Sequence, residues 1–350
     1  MNKFAALLIL VFAASRAEAG AGTTALPFLK IDSGARAAAM AGAYCATGDD
    51  ALAVFYNPAG AALAKQGEVS LGHNEWLQGI RNETAVYLQP LDKRTSVFAA
   101  VNALFSGSMD KYDRTGTETG TFSSMEAAAS FGVATRLTPD LYAGGAMKAL
   151  YQGADGKSAM AWAADGGILK TYERWRFGAS VSNLGTKMKL GSTAFSLPLM
   201  LRAGLSNDVA DFARISADVV KAGESEVALA AGIEKELTLS PRGAFYLRGG
   251  LKTGSSRYAG SGITAGIGLR GGDMRIDYAY APYGELGDAH RVTIAFAFGP
   301  SRNDAKEKRT YKTEAPQRTE RPGVKKVQTA PRRGKKAGGS KAEDPVYFIW

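Results

Sequence analysis

Apolar residues alternate with small or polar residues in a long series of short segments between about residue 67 and residue 298. A period of two places successive side chains on opposite faces of a β-strand. In residues 292–298 (VTIAFAF) the large apolar residues share one face, and only Thr and Ala occupy the other. A soluble sandwich turns its large residues inward, whereas a membrane barrel has an apolar exterior and a polar lumen. The pattern therefore predicts an all-β fold, a transmembrane antiparallel β-barrel at residues 67–300.

Fourteen segments share this alternation, and antiparallel closure within a single chain requires an even number of strands. Their predicted bounds are residues 67–76, 83–91, 95–104, 122–137, 141–151, 158–170, 175–184, 198–205, 212–221, 226–237, 244–252, 260–270, 274–281 and 291–298. Tight turns rich in Pro, Asp and Gly separate several of them, as at residues 138–140 and 271–273. The longer segment 105–121 contains Asp, Lys, Arg and Gly, and we predict that it is an external loop.

Charged residues share one face of the predicted strands. Arg214 falls on the same face as Asp218, and Arg275 on the same face as Asp277. An Arg or Lys on the lipid face costs about 2–4 kcal/mol at mid-depth. The segregation therefore predicts a lumen of paired charges. A soluble barrel with its polar face outside is the alternative on this pattern alone.

The N-terminus has the form of a secretory signal peptide, predicted at residues 1–19. Lys3 supplies a positive charge, residues 4–14 are apolar, and residues 17–19 (Ala-Glu-Ala) form a small-x-small cleavage site. The apolar stretch is about half the ~20 residues that a membrane-spanning helix needs. With the barrel pattern, the signal predicts the outer membrane of a diderm bacterium, where lipid surrounds the barrel.

The basic charge of the chain is concentrated at its C-terminus. Residues 301–350 carry 14 Lys and Arg against 6 Asp and Glu, a net +8 of the whole-chain +10. Alternation is absent there, so we predict a disordered tail. For an exported protein, an anionic envelope polymer or an acidic protein is a better candidate partner than nucleic acid, which is not expected to bind. A solvated extension without a partner is the simpler alternative.

Between the signal and the barrel, residues 20–66 do not alternate and are rich in Ala and Gly. Asp49 and Asp50 precede a short apolar run, where an Asp caps the free amides of a helix. Asn57 followed by Pro58 repeats this device, with Pro at the first helical position, and Gly60 allows close backbone approach. The segment is predicted to be a short helical plug or hatch. A plain helical linker is the alternative.

Signals for an enzyme are poor. The two histidines, His73 and His290, are far apart in sequence and are interpreted as ordinary polar positions at strand ends. A dinucleotide-like glycine pattern at residues 266–271 lies in an alternating strand with no following helix, so it is rejected. Cys45, the single cysteine, is interpreted as a small apolar residue, with a reactive thiol as the alternative. No cofactor, metal or catalytic residue is therefore predicted.

Several motifs resemble the PorV/PorQ family of outer-membrane proteins. They are residues 28–31 (FLKI), 34–44 (GARAAAMAGAY), Asp49-Asp50, 56–60 (YNPAG), 73–76 (HNEW) with His73 and Trp76, 136–138 (RLT), 182–185 (SNLG), and 197–199 (LPL) before 202–204 (RAG). The resemblance implies a 14-stranded barrel with both termini periplasmic and an N-terminal segment in the lumen. Residues 57–59 and 280–284 (YAPYG) with 290–291 also resemble the distant FadL family of hydrophobic-compound transporters.

The resemblance to PorV/PorQ implies a non-enzymatic partner in type IX protein secretion or surface attachment, with secretion-system proteins or exported cargo as partners. The resemblance to FadL implies instead a channel that admits hydrophobic small molecules past the hatch. A structural barrel whose basic tail contacts the cell envelope is a third possibility. The first of these is the primary expectation from sequence, although the long tail departs from the family pattern.

Overall fold

A computed structural model describes residues 24–190, 193–209, 213–223, 225–253 and 261–302 of the 350-residue chain. The predicted signal peptide at residues 1–19 and nearly all of the predicted tail at residues 301–350 lie outside the described residues.

Strands dominate the described part of the chain, and their bounds follow the alternating segments. They are β1 Gly67–Glu75, β2 Arg81–Pro90, β3 Thr95–Tyr112, β4 Glu118–Arg136, β5 Leu141–Ala154, β6 Lys157–Tyr172, β7 Trp175–Gly185, β8 Met188–Leu190, β9 Thr193–Phe195, β10 Met200–Val209, β11 Ala213–Ala222, β12 Ala228–Ser240, β13 Gly243–Lys252, β14 Ile263–Gly271, β15 Met274–Pro282 and β16 Asp288–Phe298. Fourteen of them form one closed barrel in chain order, with β7 next to β10 and β16 back on β1. The remaining two, β8 and β9, form a separate hairpin. The predicted 14-strand antiparallel barrel is confirmed.

The prediction of a long external loop at residues 105–121 is wrong. β3 continues to Tyr112 and β4 begins at Glu118, so only residues 113–117 form the turn. The extended hairpin pairs residues such as Ser108 with Ser123. Ser, Thr and Gly occupy both faces there, and this hides the period of two from the sequence.

Large apolar side chains cover the outer face of the barrel, and charged side chains lie inside it. Phe131 is 65% exposed and Trp162 is 57% exposed, whereas Arg248 and Asp277 are buried. Soluble monomers rarely expose contiguous apolar surface on this scale, but lipid covers such a band in an outer-membrane-type barrel. The predicted segregation of faces is therefore confirmed.

The two ends of the barrel differ. At the end that carries the start of β1 and the end of β16, the strands are joined by connections of two to four residues, such as 173–174 and 91–94. We call this the turn end. At the opposite end, the loop end, the connections include residues 186–199 with their β8–β9 hairpin. Short turns at one end and longer loops at the other are typical of outer-membrane barrels.

The N-terminal residues 24–64, which we call the plug, contain only short helical elements. These are the 3-10 helices Pro27–Lys30, Ala51–Phe55 and Pro58–Leu63 and the α-helix Ala35–Ala39. Within the described residues, no helix is long and apolar enough to cross a membrane.

Candidate functional site

The plug lies in the barrel lumen, because it packs against opposite walls. Its α-helix Ala35–Ala39 packs against β13, β14, β15 and β16, and its helix Pro58–Leu63 packs against β3, β4, β5 and β6. The backbone N–H of Ala35 also donates to Thr293 Oγ1 of the wall at 2.9 Å. Almost all of residues 33–64 are buried. Small side chains, mostly Ala, allow a folded segment to fill the lumen.

Glycines in the wall make room for the plug. A Cβ on Gly144 would lie 2.5 Å from the carbonyl carbon of Pro58, and a Cβ on Gly250 would overlap the plug backbone. The neighbouring glycine of each pair points outward and has free space around an added Cβ. A Cβ on Gly145 would meet only a backbone oxygen at 3.4 Å, and one on Gly249 would meet nothing closer than 3.8 Å. Only the inward member of each glycine pair is needed for plug docking.

Asn57 caps the helix that Pro58 begins, as predicted. Its Oδ1 accepts from the backbone N–H of Ala59 at 3.1 Å. Its Nδ2 donates to the carbonyl of Cys45 at 2.9 Å and to the carbonyl of Ile168 in β6 at 3.0 Å. One buried side chain therefore ends a loop of the plug, starts the helix and joins the plug to the wall.

Gly60 provides a close approach within the plug. A Cβ at this position would lie 2.8 Å from the carbonyl oxygen of Gly48 and 2.9 Å from the Cβ of Ala53. Real Cβ atoms do not tolerate such distances, so the loop before Asp50 and the last helix of the plug can pack only with glycine here. The predicted role of Gly60 agrees with this geometry.

Arg36 pairs with three carboxylates, two in the plug and one in the wall. Its Nη1 lies 2.7 Å from Asp49 Oδ1 and 3.1 Å from Asp50 Oδ2. Its Nε donates to Oε2 of Glu234 in β12 and its Nη2 donates to Oε1 of the same carboxylate, both at 2.7 Å. A bidentate guanidinium–carboxylate pair of this kind is both strong and directional. Arg36, although only 6% exposed, is fully paired.

The predicted capping by Asp49 and Asp50 is wrong. Asp50 occupies the N-cap position of the helix Ala51–Phe55 but makes no side-chain cap hydrogen bond. The backbone N–H of Ala51 donates instead to Glu68 Oε1 of β1 at 3.1 Å. Asp50 Oδ2 accepts from Tyr44 Oη at 2.7 Å. Because guanidinium groups surround both carboxylates, ion pairing replaces the cap.

The protonation of these two acids is set by their neighbours. Burial by itself raises the pKa of the Asp49 carboxyl, but the guanidinium of Arg214, followed by that of Arg36, outweighs burial and holds this pKa well below its ordinary value. Burial also opposes ionisation of Asp50, yet Arg275 and Arg36 lower its pKa. Both carboxylates therefore stay ionised at neutral and mildly acidic pH.

The pairs around Asp49 and Asp50 belong to one continuous network at the turn end, which we call the lumen network. Arg248 links Glu234 at 2.7 Å to Asp277 at 2.8 Å. The network contains five guanidinium groups and six carboxylates: Arg36, Arg176, Arg214, Arg248, Arg275, Asp49, Asp50, Glu68, Asp208, Glu234 and Asp277. Three of them come from the plug, so the predicted lumen of paired charges also holds the plug.

A second anchor lies at Tyr44 and Cys45. Their backbone N–H groups donate to Asp218 Oδ2 of β11 at 2.9 and 2.8 Å. The Cys45 thiol is buried, and burial, reinforced by the nearby Asp218 carboxylate, raises its pKa. This favours the interpretation of Cys45 as a packing residue. Within the described residues, no cluster of His, Cys, Asp or Glu side chains is arranged to hold a metal ion.

The two barrel positions of the family motif lie apart from the plug network. His73 is exposed on the outer face, and its Nδ1 lies 2.8 Å from Glu83 Oε1. Trp76 lies at the loop end, where its ring meets Tyr283 edge to face at a centroid distance of 4.8 Å. The guanidinium of Arg291 lies 5.1 Å from the centroid of the Trp76 ring. The structure therefore does not bring His73 together with the other motif residues.

A cavity of about 400 Å³ lies at the loop end, between the plug and the wall formed by β11 to β15. Its lining includes the ring pair Trp76 and Tyr283, together with apolar side chains of the wall such as Ile263. The plug contributes Asp32, whose Oδ2 lies 3.2 Å from Lys252 Nζ of β13. The cavity is thus a mainly apolar chamber whose lining also carries the charged residues Lys30, Asp32, Glu226 and Lys252.

Sequence reasoning missed the central members of the lumen network. Arg36 was noticed only as part of a family motif, and Glu234 was not singled out, because nothing local marks which inward charges meet across a lumen. The wall glycines that contact the plug could have been predicted from the sequence. Pairs of adjacent glycines at 144–145, 166–167 and 249–250 interrupt otherwise regular strands, and such glycines often mark close backbone approach.

Comparisons with known proteins agree with this architecture. A model of a family described as an uncharacterised protein family (UPF0164) matches residues 11–171. No curated protein sequence matches the chain. Among solved structures, the TodX deltaS2S3 mutant monoaromatic hydrocarbon channel is similar with a TM-score of 0.56 and 13% identity, over 76% of this chain and 99% of that one.

Two further solved structures are similar to the same extent. The Pseudomonas putida toluene transporter TodX has a TM-score of 0.53 and 12% identity, over 75% of this chain and 96% of that one. A Pseudomonas aeruginosa FadL homologue has a TM-score of 0.53 and 9% identity, over 76% and 98%. TodX is described as a channel and as a transporter. At such identities the likeness concerns the fold alone, and the chain has the fold of a FadL-type outer-membrane barrel.

Proposed function

We propose that this protein is a non-enzymatic outer-membrane channel that admits small hydrophobic molecules past its plug. The observation that carries the proposal is the apolar chamber of about 400 Å³, which lies at the loop end of the lumen and borders the plug. Binding pockets for small molecules typically measure about 300–1,000 Å³ and have apolar walls with a few polar groups. The chamber has this size and composition.

The names of the similar structures support the same reading, since they describe a toluene transporter and monoaromatic hydrocarbon channels. An apolar cavity of about 150 Å³ is enough to hold benzene, so the chamber has room for an aromatic or a medium-length alkyl compound. The plug fills the lumen below the chamber. Passage therefore requires the plug to rearrange after the compound has bound.

The proposal is tested by uptake of toluene or octanol into liposomes that contain the purified protein. Ala222 lines the chamber, whereas Ala217 is exposed on the outer face of the same strand. We expect Ala222→Trp to abolish uptake and Ala217→Trp to leave it intact, because only the first fills the chamber. Equal uptake by the two variants, or no uptake above empty liposomes by the unaltered protein, would refute the proposal.

A second candidate function is the role in protein export or surface attachment expected from the resemblance to PorV/PorQ. The extended hairpins support it, because β3 and β4 have 18 and 19 residues while β1 and β2 have 9 and 10. They provide a surface for a protein partner beyond the loop end. Removing residues 108–123 should then strip particular proteins from the cell surface, and an unchanged surface proteome would contradict this role.

A further inference from the structure

A second, much smaller cavity lies inside the lumen, between the plug and the strands β3, β4, β5, β7 and β10 of the wall. Its volume is about 20 Å³. A cavity needs about 10–15 Å³ to hold a water molecule, so this one has room for a water molecule or a monatomic ion, and not for an organic compound. Ile31 and Met200 line both this cavity and the chamber, so the two spaces adjoin.

The lining of the small cavity carries positive charge but no negative charge. Its charged residues are Lys148 of β5 and Arg202 of β10, and among the described residues that line it there is no Asp or Glu. Ser33 of the plug and Ser130 and Ser182 of the wall also line it, and a hydroxyl group can donate a hydrogen bond. These residue types favour an anion over a cation.

Of the two cations, Lys148 already has an acidic partner. Its Nζ lies 2.6 Å from Asp165 Oδ2 of β6. It also donates to Asn183 Oδ1 of β7 at 3.0 Å. Lys148 therefore adds little net charge to the cavity.

Arg202 is buried without such a partner. It is 7% exposed, and within the described part of the chain no carboxylate oxygen lies within 4.0 Å of its nitrogen atoms. Its guanidinium lies 5.2 Å from the centroid of the Tyr56 ring, and a ring face attracts a cation. Its Nε nevertheless has no hydrogen-bond partner. Buried charges are normally paired and hydrogen-bonded, so this guanidinium is an exception that the protein atoms alone do not explain.

Two acids act on Arg202 from a greater distance, and neither lines the small cavity. Asp32 is paired with Lys252 at 3.2 Å. Asp218 Oδ2 accepts from two backbone N–H groups of the plug. Neither acid therefore supplies an acceptor to Arg202 inside the cavity.

We infer that the small cavity is a binding site for a single monatomic anion of the chloride class. The anion pairs with the Arg202 guanidinium and accepts the hydrogen bond that Nε makes to no protein group. Ser33 Oγ accepts from Asn102 Nδ2 at 3.4 Å, so its own proton remains available for the anion. The anion thus bridges β10 to the plug. The site differs from the chamber in its ligand and does not depend on the proposed channel.

The bridge adds a contact between plug and wall that should be visible in amide exchange. A ligand that binds only the closed form shifts the opening equilibrium in proportion to 1 + [ligand]/Kd. Each tenfold rise in chloride above its Kd should therefore slow exchange of the plug amides at residues 31–33 and 55–56 about tenfold. Sodium gluconate at the same ionic strength should have no such effect, because gluconate is too large for the cavity.

The test combines this exchange measurement, on the full protein in lipid nanodiscs, with diffraction at the bromine absorption edge from crystals soaked in sodium bromide. We expect an anomalous peak beside Arg202, and Arg202→Met should remove both the peak and the halide effect. The matched control is Arg291→Met. Arg291 is 2% exposed, also has an Nε without a partner and also stacks on a ring, that of Trp76, but it does not line the small cavity. This variant should keep both signals.

No bromide peak beside Arg202 in the unaltered protein would overturn the inference and show that the cavity holds water. A halide effect that survives in Arg202→Met, or that Arg291→Met removes equally, would also overturn it, because the effect would then be a general response to salt. A peak without any effect on exchange would overturn the bridge. If Arg202→Met fails to form a heat-modifiable barrel, Ser182→Val decides. It fills part of the cavity without changing a charge, so an undiminished peak in this variant would contradict the site.

Discussion

Arg36 should control whether the plug stays in place in the lumen, because it is the plug residue that pairs with most carboxylates. The substitution Arg36→Gln removes its contacts to Asp49, Asp50 and Glu234, which are 2.7 to 3.1 Å long. It also changes the lumen network from five cations and six carboxylates to four cations and six carboxylates. The perturbation thus adds unpaired negative charge in a buried site.

Removing one partner of a buried ion pair typically costs about 3–5 kcal/mol. Here the lower value applies, because Glu234 keeps its pair with Arg248 and Asp50 keeps its pair with Arg275. A loss of about 3 kcal/mol corresponds to about a 150-fold change in an equilibrium. We therefore expect the population with a displaced plug to rise by about two orders of magnitude.

The assay is single-channel recording in planar bilayers, combined with hydrogen exchange of the plug amides. Arg36→Gln should show frequent conducting events and faster exchange in residues 35–64. The control is Arg270→Gln, since Arg270 pairs with Glu236 in an exposed contact, worth about 0–1 kcal/mol. If Arg36→Gln conducts as rarely as the control, and its plug amides exchange as slowly, the lumen network does not hold the plug and the reasoning fails.

Three further predictions concern the same plug. Gly250→Ala should expose the plug to protease while Gly249→Ala should not, because only the inward methyl group overlaps the plug backbone. Asn57→Ala should lower plug stability by about 1–3 kcal/mol through lost buried hydrogen bonds, measured as faster amide exchange; unchanged exchange would contradict this. The lowered pKa values of Asp49 and Asp50 mean that their stabilisation is complete above the unfolded pKa of about 3.9 and is lost as the pH falls through their folded values. Bilayer conductance should therefore stay low from pH 8 to pH 5 and rise only below about pH 4, whereas opening near pH 6 would show that the Asp49 and Asp50 pairs do not set the pH dependence of the plug.

The alternation of residues was sufficient to determine most of the barrel. In β16, for example, every second residue from Val292 to Phe298 is large and apolar, so the face that meets lipid follows from a local rule. The cap at Asn57 and Pro58 is equally local, since it depends on groups two residues apart. Such features are readable because the interaction that fixes them lies within one strand or one helical turn.

Other features depend on residues that are distant in sequence. Asp49 and Asp50 have the local form of helix caps, but the closed barrel brings Arg214 and Arg275 to them, and a guanidinium is the stronger partner for a buried carboxylate. The sequence pattern did not predict the long hairpin of β3 and β4, because neither face of the strands has to be apolar in that part of the hairpin. The sequence by itself determined a fourteen-stranded barrel with charges inside. Only the tertiary structure decided which charges meet, how the plug fills the lumen and where a chamber remains. These features depend on the curvature and closure of the barrel, which the alternation of residues within a single strand does not determine.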